Sequence, residues 1–156
     1  MTVHPNTERV AAALASAGLS PEIREFDEST HTARDAAAAL GCPVAAIASS
    51  LVFMADDAPL LIMTSGAHRV DLDLVARTLG LGEVRRATPE EVRDATGYPI
   101  GGVAPVGHPG PVRTLVDDAL RDHAVLWASA GTPRAVFSTT YDDLVRITGG
   151  DEVTVA

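Results

Sequence analysis

A glycine- and proline-rich segment at residues 96–111 has the composition best suited to binding chemistry. It contains five glycines and four prolines. Glycine lets the backbone approach a ligand closely and proline fixes neighbouring torsion angles, so this composition favours a rigid loop that presents backbone N–H groups. Such rigidity lowers the entropy cost of holding a binding surface in place. The alternative is a rigid structural turn that contacts no ligand.

The remaining reactive side chains form no familiar catalytic motif. There is no Gly-x-Ser-x-Gly sequence, and no Cys/His cluster has the spacing of a metal site. The single cysteine, Cys42, has no basic neighbour in sequence and is interpreted as a small buried hydrophobe. The sequence therefore predicts no covalent nucleophile, no metal and no cofactor.

Charge and composition limit the partners that the chain can have. The 156 residues carry a formal charge of −9, and all twelve basic side chains are arginine. A broad phosphate-binding face needs clustered positive charge, so we predict no DNA partner and contact with only the end of an RNA. With no apolar run long enough to span a membrane, no membrane partner and a cytoplasmic location are predicted. The length predicts one domain, residues 1–156.

Hydrophobic periodicity and helix caps predict a mixed order of helices and strands. This order indicates an α/β fold of the α+β type, with helices packed around a mixed sheet. Helices are predicted over residues 6–17, 33–40, 71–79 and from 89, with short helices from 117 and 140; strands are predicted over 22–27, 50–55, 60–64, around 84, and over 112–116, 125–129 and 134–137.

Residues 101–107, Gly-Gly-Val-Ala-Pro-Val-Gly, resemble the GxxxP loop of the YbaK family, relatives of the editing domain inserted in bacterial prolyl-tRNA synthetases. The resemblance covers residues 32–148 in one order, including Ala-Gly-Thr-Pro-Arg at 130–134 and Tyr-Asp-Asp-Leu at 141–144. It implies a mixed, partly barrel-like β-sheet surrounded by helices. It also implies hydrolysis of the ester of a mischarged tRNA, in which the substrate's ribose hydroxyl and a water carry the protons.

The resemblance also implies which residues form the site. Gly101 and Gly102 would offer backbone donors, Val103 and Ala104 would shape a small pocket, and Pro105 would fix the loop. Ser129 and Gly131, at the end of a strand, would complete the site or would form a plain strand-end turn. Because binding and orientation do most of the work on this reading, no ionisable catalytic side chain is expected.

One departure from the family pattern affects the expected chemistry. Where many members have a lysine that is thought to hold the phosphate and sugar end of the tRNA, this chain has Ser49. Serine has neither the charge nor the reach of lysine. Ser49 and Ser50 could hydrogen-bond the terminal adenosine or could be capping groups. The candidates for a replacement cation, or alternatively for an exposed loop surface, are His31, His68, Arg69 and Arg134.

Three functions follow from these observations. The first is a freestanding aminoacyl-tRNA deacylase that acts in trans on the acceptor end, with the tRNA for proline carrying a small amino acid as one substrate. The second is a noncatalytic module that binds an aminoacyl group or nucleotide, or docks on an aminoacyl-tRNA synthetase. The third is a hydrolase for a small ester or amide outside translation.

Overall fold

The computed structural model of this protein describes residues 3–28 and 32–156. Within them, eight strands form one mixed sheet in the order β1-β7-β6-β2-β3-β5-β8, with β4 paired to β2. The strands are β1 (Ile23–Glu25), β2 (Ile47–Ala55), β3 (Ala58–Ser65), β4 (Val84–Arg86), β5 (Arg113–Asp117), β6 (Leu126–Ser129), β7 (Ala135–Thr139) and β8 (Asp151–Val153). The helices are α1 (Pro5–Ser16), α2 (Ala33–Leu40), α3 (Leu72–Leu79), α4 (Pro89–Thr96) and α5 (Tyr141–Thr148). The predicted mixed α/β fold is confirmed.

Local signals in the sequence fixed the helix ends. The Thr32 hydroxyl accepts from the N–H of Asp35 at the start of α2, and Gly41 ends that helix in the left-handed region, at φ 70°. The start of α4 has a full capping box between Thr88 and Glu91. These caps satisfy N–H groups that the helix itself leaves unbonded, so α2 and α4 begin where the sequence predicts.

Three features differ from the prediction. The β2–β3 hairpin has a two-residue turn, Asp56 and Asp57 at φ 49° and 66°, where a longer connection was expected. Positive φ at both positions is the type I′ geometry that suits the twist of a hairpin. Strand β2 begins at Ile47, three residues before the predicted start, and β8 was not predicted. A three-residue strand such as β8 is too short to show a periodic pattern.

Strand β2 is the centre of the sheet and has an incomplete edge. One edge pairs with β3 from Ala48 to Ala55. The other edge pairs with β6 only at Ile47 and Ala48, and with β4 only from Phe53 to Ala55. Residues 49–52 therefore have no strand beside them on that edge, and the sheet opens into a gap between β6 and β4.

Two of the apolar clusters form the floor and one wall of this gap. The larger contains Ala48, Val52, Val103 and Ala128 and extends to α1. A smaller cluster packs α2 against β2, β6 and β7 through Ala36, Ala37, Ile47, Trp127 and Val136. The apolar face of α2 thus covers the strands beside the gap. In the described part of the chain, no helix is long and apolar enough to cross a membrane.

Candidate functional site

A cavity of about 330 Å³ lies where the sheet opens beside β2. Its volume falls at the lower end of the range for small-molecule sites. Most of its lining is apolar. The lining residues come from α2, β2, the β4–α4 segment, the glycine-proline loop, β6 and β7: Thr32, Ala33, Ala36, Ile47, Ala48, Ser49, Ser50, Leu51, Val52, Phe53, Arg86, Ala87, Val92, Ile100, Gly101, Val103, Trp127, Ala128, Ser129, Thr132, Ala135 and Val136.

The open edge of β2 supplies backbone groups to this cavity. The carbonyl of Val52 points towards β4 and accepts from the N–H of Ala87 at 3.2 Å. Because backbone groups on successive residues of a strand point to opposite edges, the N–H and carbonyl of Ser50 point to the same side as those of Val52. No strand pairs with Ser50 there. Its backbone therefore offers one donor and one acceptor to a ligand in the gap.

The polar side chains of the cavity are mainly hydroxyls. Ser50 donates to the sulfur of Met63 at 3.2 Å, and Ser129 lies 3.5 Å from the carbonyl oxygen of Thr132. Among the described lining residues there is no His, Cys, Asp or Glu. The lining can therefore bind an apolar group and hydrogen-bond an ester, but it supplies no side-chain general base.

The glycine-proline loop, residues 96–111, forms one rim of the cavity. The N–H of Gly102 donates to the carbonyl of Pro99 at 3.0 Å, which closes a turn with Gly101 at φ 84°. Within the described structure, the N–H groups of Gly101 and Val103 have no acceptor, and both residues line the cavity. The free donors are therefore those of Gly101 and Val103, while that of Gly102 is engaged in the turn.

The far side of the loop is held in place by two hydrogen bonds. The Tyr98 hydroxyl donates to the carbonyl of Val106 at 2.7 Å, and Nε2 of His108 lies 2.8 Å from the carbonyl oxygen of Ala104. Burial lowers the pKa of His108, although the contact with Ala104 opposes this shift. His108 is partly buried, and its contact with Ala104 holds the loop in place. This anchoring presets the rim before any ligand binds.

The loop packs tightly against the segment that follows β6. A Cβ added at Gly102 would lie 2.8 Å from Cα of Thr132, so the two backbones are in direct contact. Gly131 packs against α1, because a Cβ there would lie 2.9 Å from Cβ of Asn6. The Thr7 hydroxyl also donates to the carbonyl of Ala130 at 2.8 Å. Helix α1 and residues 130–132 thus support the rim from behind.

The structure brings part of the predicted site together. Five of the predicted residues line the cavity: Ser49, Ser50, Gly101, Val103 and Ser129. Six lie outside its lining: Gly102, Ala104, Pro105, Gly131, His68 and Arg69. Gly102, Ala104 and Pro105 are buried within the loop. His31 falls outside the described residues. The functional roles assigned to all of these residues remain predictions.

His68 forms an ion-pair geometry away from the cavity. Its Nδ1 lies 2.8 Å from Oδ2 of Asp117, a fully buried carboxylate. The same carboxylate accepts from the N–H groups of Ser65 and Ala119 and from the Thr64 hydroxyl. Asp117 therefore joins the end of β3 to the end of β5, and His68 belongs to this structural group.

Of the lining residues that the sequence did not predict, two have side chains suited to ligand contact, Trp127 and Arg86. Trp127, on β6, contributes its ring, with the guanidinium of Arg24 stacked 4.9 Å from the ring centroid. Arg86, the last residue of β4, is exposed and is the one charged side chain in the lining of the described structure. Its neighbour Arg85 is a different case, because it pairs with both carboxylate oxygens of Glu91 at 2.8 Å. The sequence feature that could have indicated Arg86 is the pair of arginines, Arg85 and Arg86, at the end of the predicted short strand.

Comparison with known proteins agrees with this architecture. The family model for the aminoacyl-tRNA editing domain matches residues 27–147. A crystal structure described as that of a candidate trans-editing enzyme for prolyl-tRNA synthetase superimposes with a TM-score of 0.92 at 41% identity, covering 99% of this chain and 98% of the other. Protein YwhH of Bacillus subtilis is 29% identical over 79% of this chain and 78% of its own length.

Similarity extends to a domain of much larger enzymes. The proline–tRNA ligase of Nitratidesulfovibrio vulgaris is 32% identical over 80% of this chain, but the match spans only 20% of that ligase. The match thus covers most of the length of YwhH but only about a fifth of the length of the ligase. This chain belongs to the aminoacyl-tRNA editing domain family.

Proposed function

We propose that this protein is a freestanding aminoacyl-tRNA deacylase that acts in trans on mischarged tRNA. The observation that carries the proposal is the apolar cavity bounded on one side by unpaired backbone groups of β2 and on the other by free N–H groups of the glycine-proline loop. The family match over residues 27–147 supports the same reaction class. We also propose that residues 1–156 form a single domain and that the protein acts in the cytoplasm, where aminoacyl-tRNA is used in translation.

The reaction is hydrolysis of the ester that joins an amino acid to the terminal ribose. Water attacks the carbonyl carbon, the bond from that carbon to the ribose oxygen breaks, and the ribose oxygen leaves as a hydroxyl. Negative charge develops on the carbonyl oxygen, and we assign the N–H groups of Gly101 and Val103 to stabilise it. The water transfers protons with the help of the substrate's own hydroxyl, since the described lining offers no side-chain base.

The cavity also indicates the kind of acyl group that fits. Apolar side chains such as Ala36, Ile47 and Val136 surround the space, and no carboxylate is available in the described lining to pair with the substrate's ammonium. The Ser50 carbonyl and the hydroxyls of Ser49 and Ser129 are the acceptors assigned to that group. A synthetase discriminates poorly between small apolar amino acids by binding alone, so an editing enzyme is needed to remove the wrong one. A tRNA for proline carrying alanine is therefore the first substrate to test.

The decisive experiment is a deacylation screen over a panel of mischarged tRNAs. We expect turnover of a tRNA that carries a small apolar amino acid and little turnover of one that carries a charged amino acid. Ser50→Gly keeps the backbone donor and acceptor and should retain most activity, and Ser16→Ala, an exposed serine at the end of α1, is the control. Absence of turnover on every member of the panel would refute the deacylase proposal.

The noncatalytic module remains the second candidate because Ser49 stands where many family members have lysine. It predicts binding of the aminoacyl end without hydrolysis. Docking on a synthetase is part of this proposal and predicts co-elution of the two proteins. Hydrolysis of simple esters with the same efficiency as tRNA esters would instead favour the small-ester hydrolase.

A further inference from the structure

The cavity has one positive charge that nothing in the described structure neutralises. Arg86 lines the cavity and is exposed, and its guanidinium makes no ion pair or hydrogen bond with a described residue. The adjacent Arg85 is held by Glu91 in a bidentate pair, which accounts for its charge. Two consecutive arginines on one strand therefore have different partners, and Arg86 alone is available to an anion at the cavity.

The position of Arg86 indicates which part of a substrate it could reach. Arg86 is paired in register with Phe53, where the gap in the sheet ends. Ser49 lies at the other end of the gap, four residues away along β2, or about 13 Å at the usual rise per residue. Ile100, a further lining residue, is 56% exposed and marks the open side of the cavity. Arg86 is thus an exposed cation at the margin of the cavity and not a group at its apolar floor.

We propose that Arg86 binds a backbone phosphate of the substrate's 3′-terminal nucleotides and so positions the ester in the cavity. This inference rests on the proposed function and deepens it. A guanidinium matches the geometry of a phosphate with two parallel N–H donors. In this chain the positive charge is on β4, at the opposite end of the gap from Ser49. Arg86 is a positioning residue and takes no part in bond breaking.

The acidic character of the protein makes a single cation more important. With a net charge of −9, the surface as a whole repels RNA, so attraction must come from a local group. An acidic amino acid side chain on the substrate is a less suitable partner for Arg86, because the acyl group occupies the apolar interior while Arg86 remains exposed. The polynucleotide outside the cavity is where phosphates lie.

Binding can be tested without relying on catalysis. Trp127 is the single tryptophan of the chain and lines the cavity, so its fluorescence reports occupancy. The trinucleotide CCA carries internucleotide phosphates, whereas adenosine has none. We expect Arg86→Gln to weaken CCA binding roughly threefold to tenfold and to leave adenosine binding unchanged. The slope of log affinity against log salt concentration should fall by about 0.7.

Matched variants distinguish a phosphate contact by Arg86 from a change in the net charge of the protein and from a disturbance of its fold. Arg77→Gln removes an exposed arginine of α3 that does not line the cavity, and it should bind CCA like the wild type. Arg86→Lys keeps the charge and should recover part of the affinity. With alanyl-tRNA for proline, Arg86→Gln should raise KM and leave kcat near the wild-type value.

The outcomes distinguish this inference from the proposed function. Equal CCA binding by Arg86→Gln and wild type, or equal weakening of CCA and adenosine binding, would overturn the assignment of a phosphate contact. Failure of wild-type protein to bind CCA would overturn it as well. If no mischarged tRNA is deacylated but CCA binding still depends on Arg86, the phosphate contact would be supported and the deacylase proposal would be refuted.

Discussion

The close contact between the backbones of Gly102 and Thr132 gives a sharp test of the loop. Replacing Gly102 by alanine puts a methyl carbon 2.8 Å from Cα of Thr132 and 3.1 Å from the carbonyl oxygen of Gly131. Both neighbours are backbone atoms, so they cannot rotate away. Ordinary contact begins at 3.4 Å, and the loop must therefore move by several tenths of an ångström.

This displacement should lower both the rate of catalysis and the stability of the protein. Gly101 and Val103 flank Gly102, so their free N–H groups move with it. A misplacement of 1 Å can cost on the order of 100-fold in rate, and we expect kcat/KM of Gly102→Ala to fall roughly 10-fold to 100-fold. Overpacking should lower the free energy of unfolding by about 1–3 kcal/mol. Deacylation kinetics and urea unfolding measure the two effects on the same preparation.

Gly110→Ala is the matched control, because an added Cβ there meets nothing within 4 Å and the backbone is not left-handed. It should leave both kcat/KM and the free energy of unfolding unchanged. Wild-type kcat/KM in folded Gly102→Ala would show that the position of the loop does not control the reaction. The reasoning that assigns the Gly101 and Val103 amides to the oxyanion would then be wrong.

Four further predictions follow from individual contacts. Asp117→Ala orphans the buried donors that this carboxylate satisfies and should lower the free energy of unfolding by about 3–5 kcal/mol, measured in urea. Tyr98→Phe leaves the carbonyl of Val106 unbonded and should cost about 1–2 kcal/mol in the same assay. The guanidinium of Arg85 lowers the pKa of Glu91 to about 2. The stability that this pair contributes above pH 4.5 should therefore be lost as the pH falls towards 2. Thermal melts across this pH range should show no such loss for Glu91→Gln. Ser49→Lys adds a second cation to the gap and should tighten CCA binding and steepen its salt dependence, whereas unchanged Trp fluorescence titrations would contradict this.

Much of the fold could be predicted because its signals are local. The caps at Thr32 and Thr88 and the glycine after each helix act through neighbouring residues, and the structure has them where the sequence indicates. The hairpin was found, although its turn was expected to be longer. Strand β8 was missed, because its three residues are held by pairing with β5, a partner distant in sequence.

The candidate site was predictable only in part for the same physical reason. The composition of residues 96–111 was enough to predict a rigid loop. Which of its N–H groups remain free depends on the turn closed by the hydrogen bond from Gly102 to Pro99. Arg86 looks like any surface arginine in the sequence. Its importance comes from register, because pairing with Phe53 puts it at the edge of the gap.

The sequence by itself determined most of the helices and strands, the family resemblance, the glycine-proline composition of the loop and the absence of lysine. These depend on residue identity and on interactions between near neighbours. Only the tertiary structure decided that one edge of β2 has no partner strand over residues 49–52, that this gap forms a cavity and that an arginine lies at its margin. Strand register and packing join residues far apart in the chain, and no local pattern records which of those distant residues will meet.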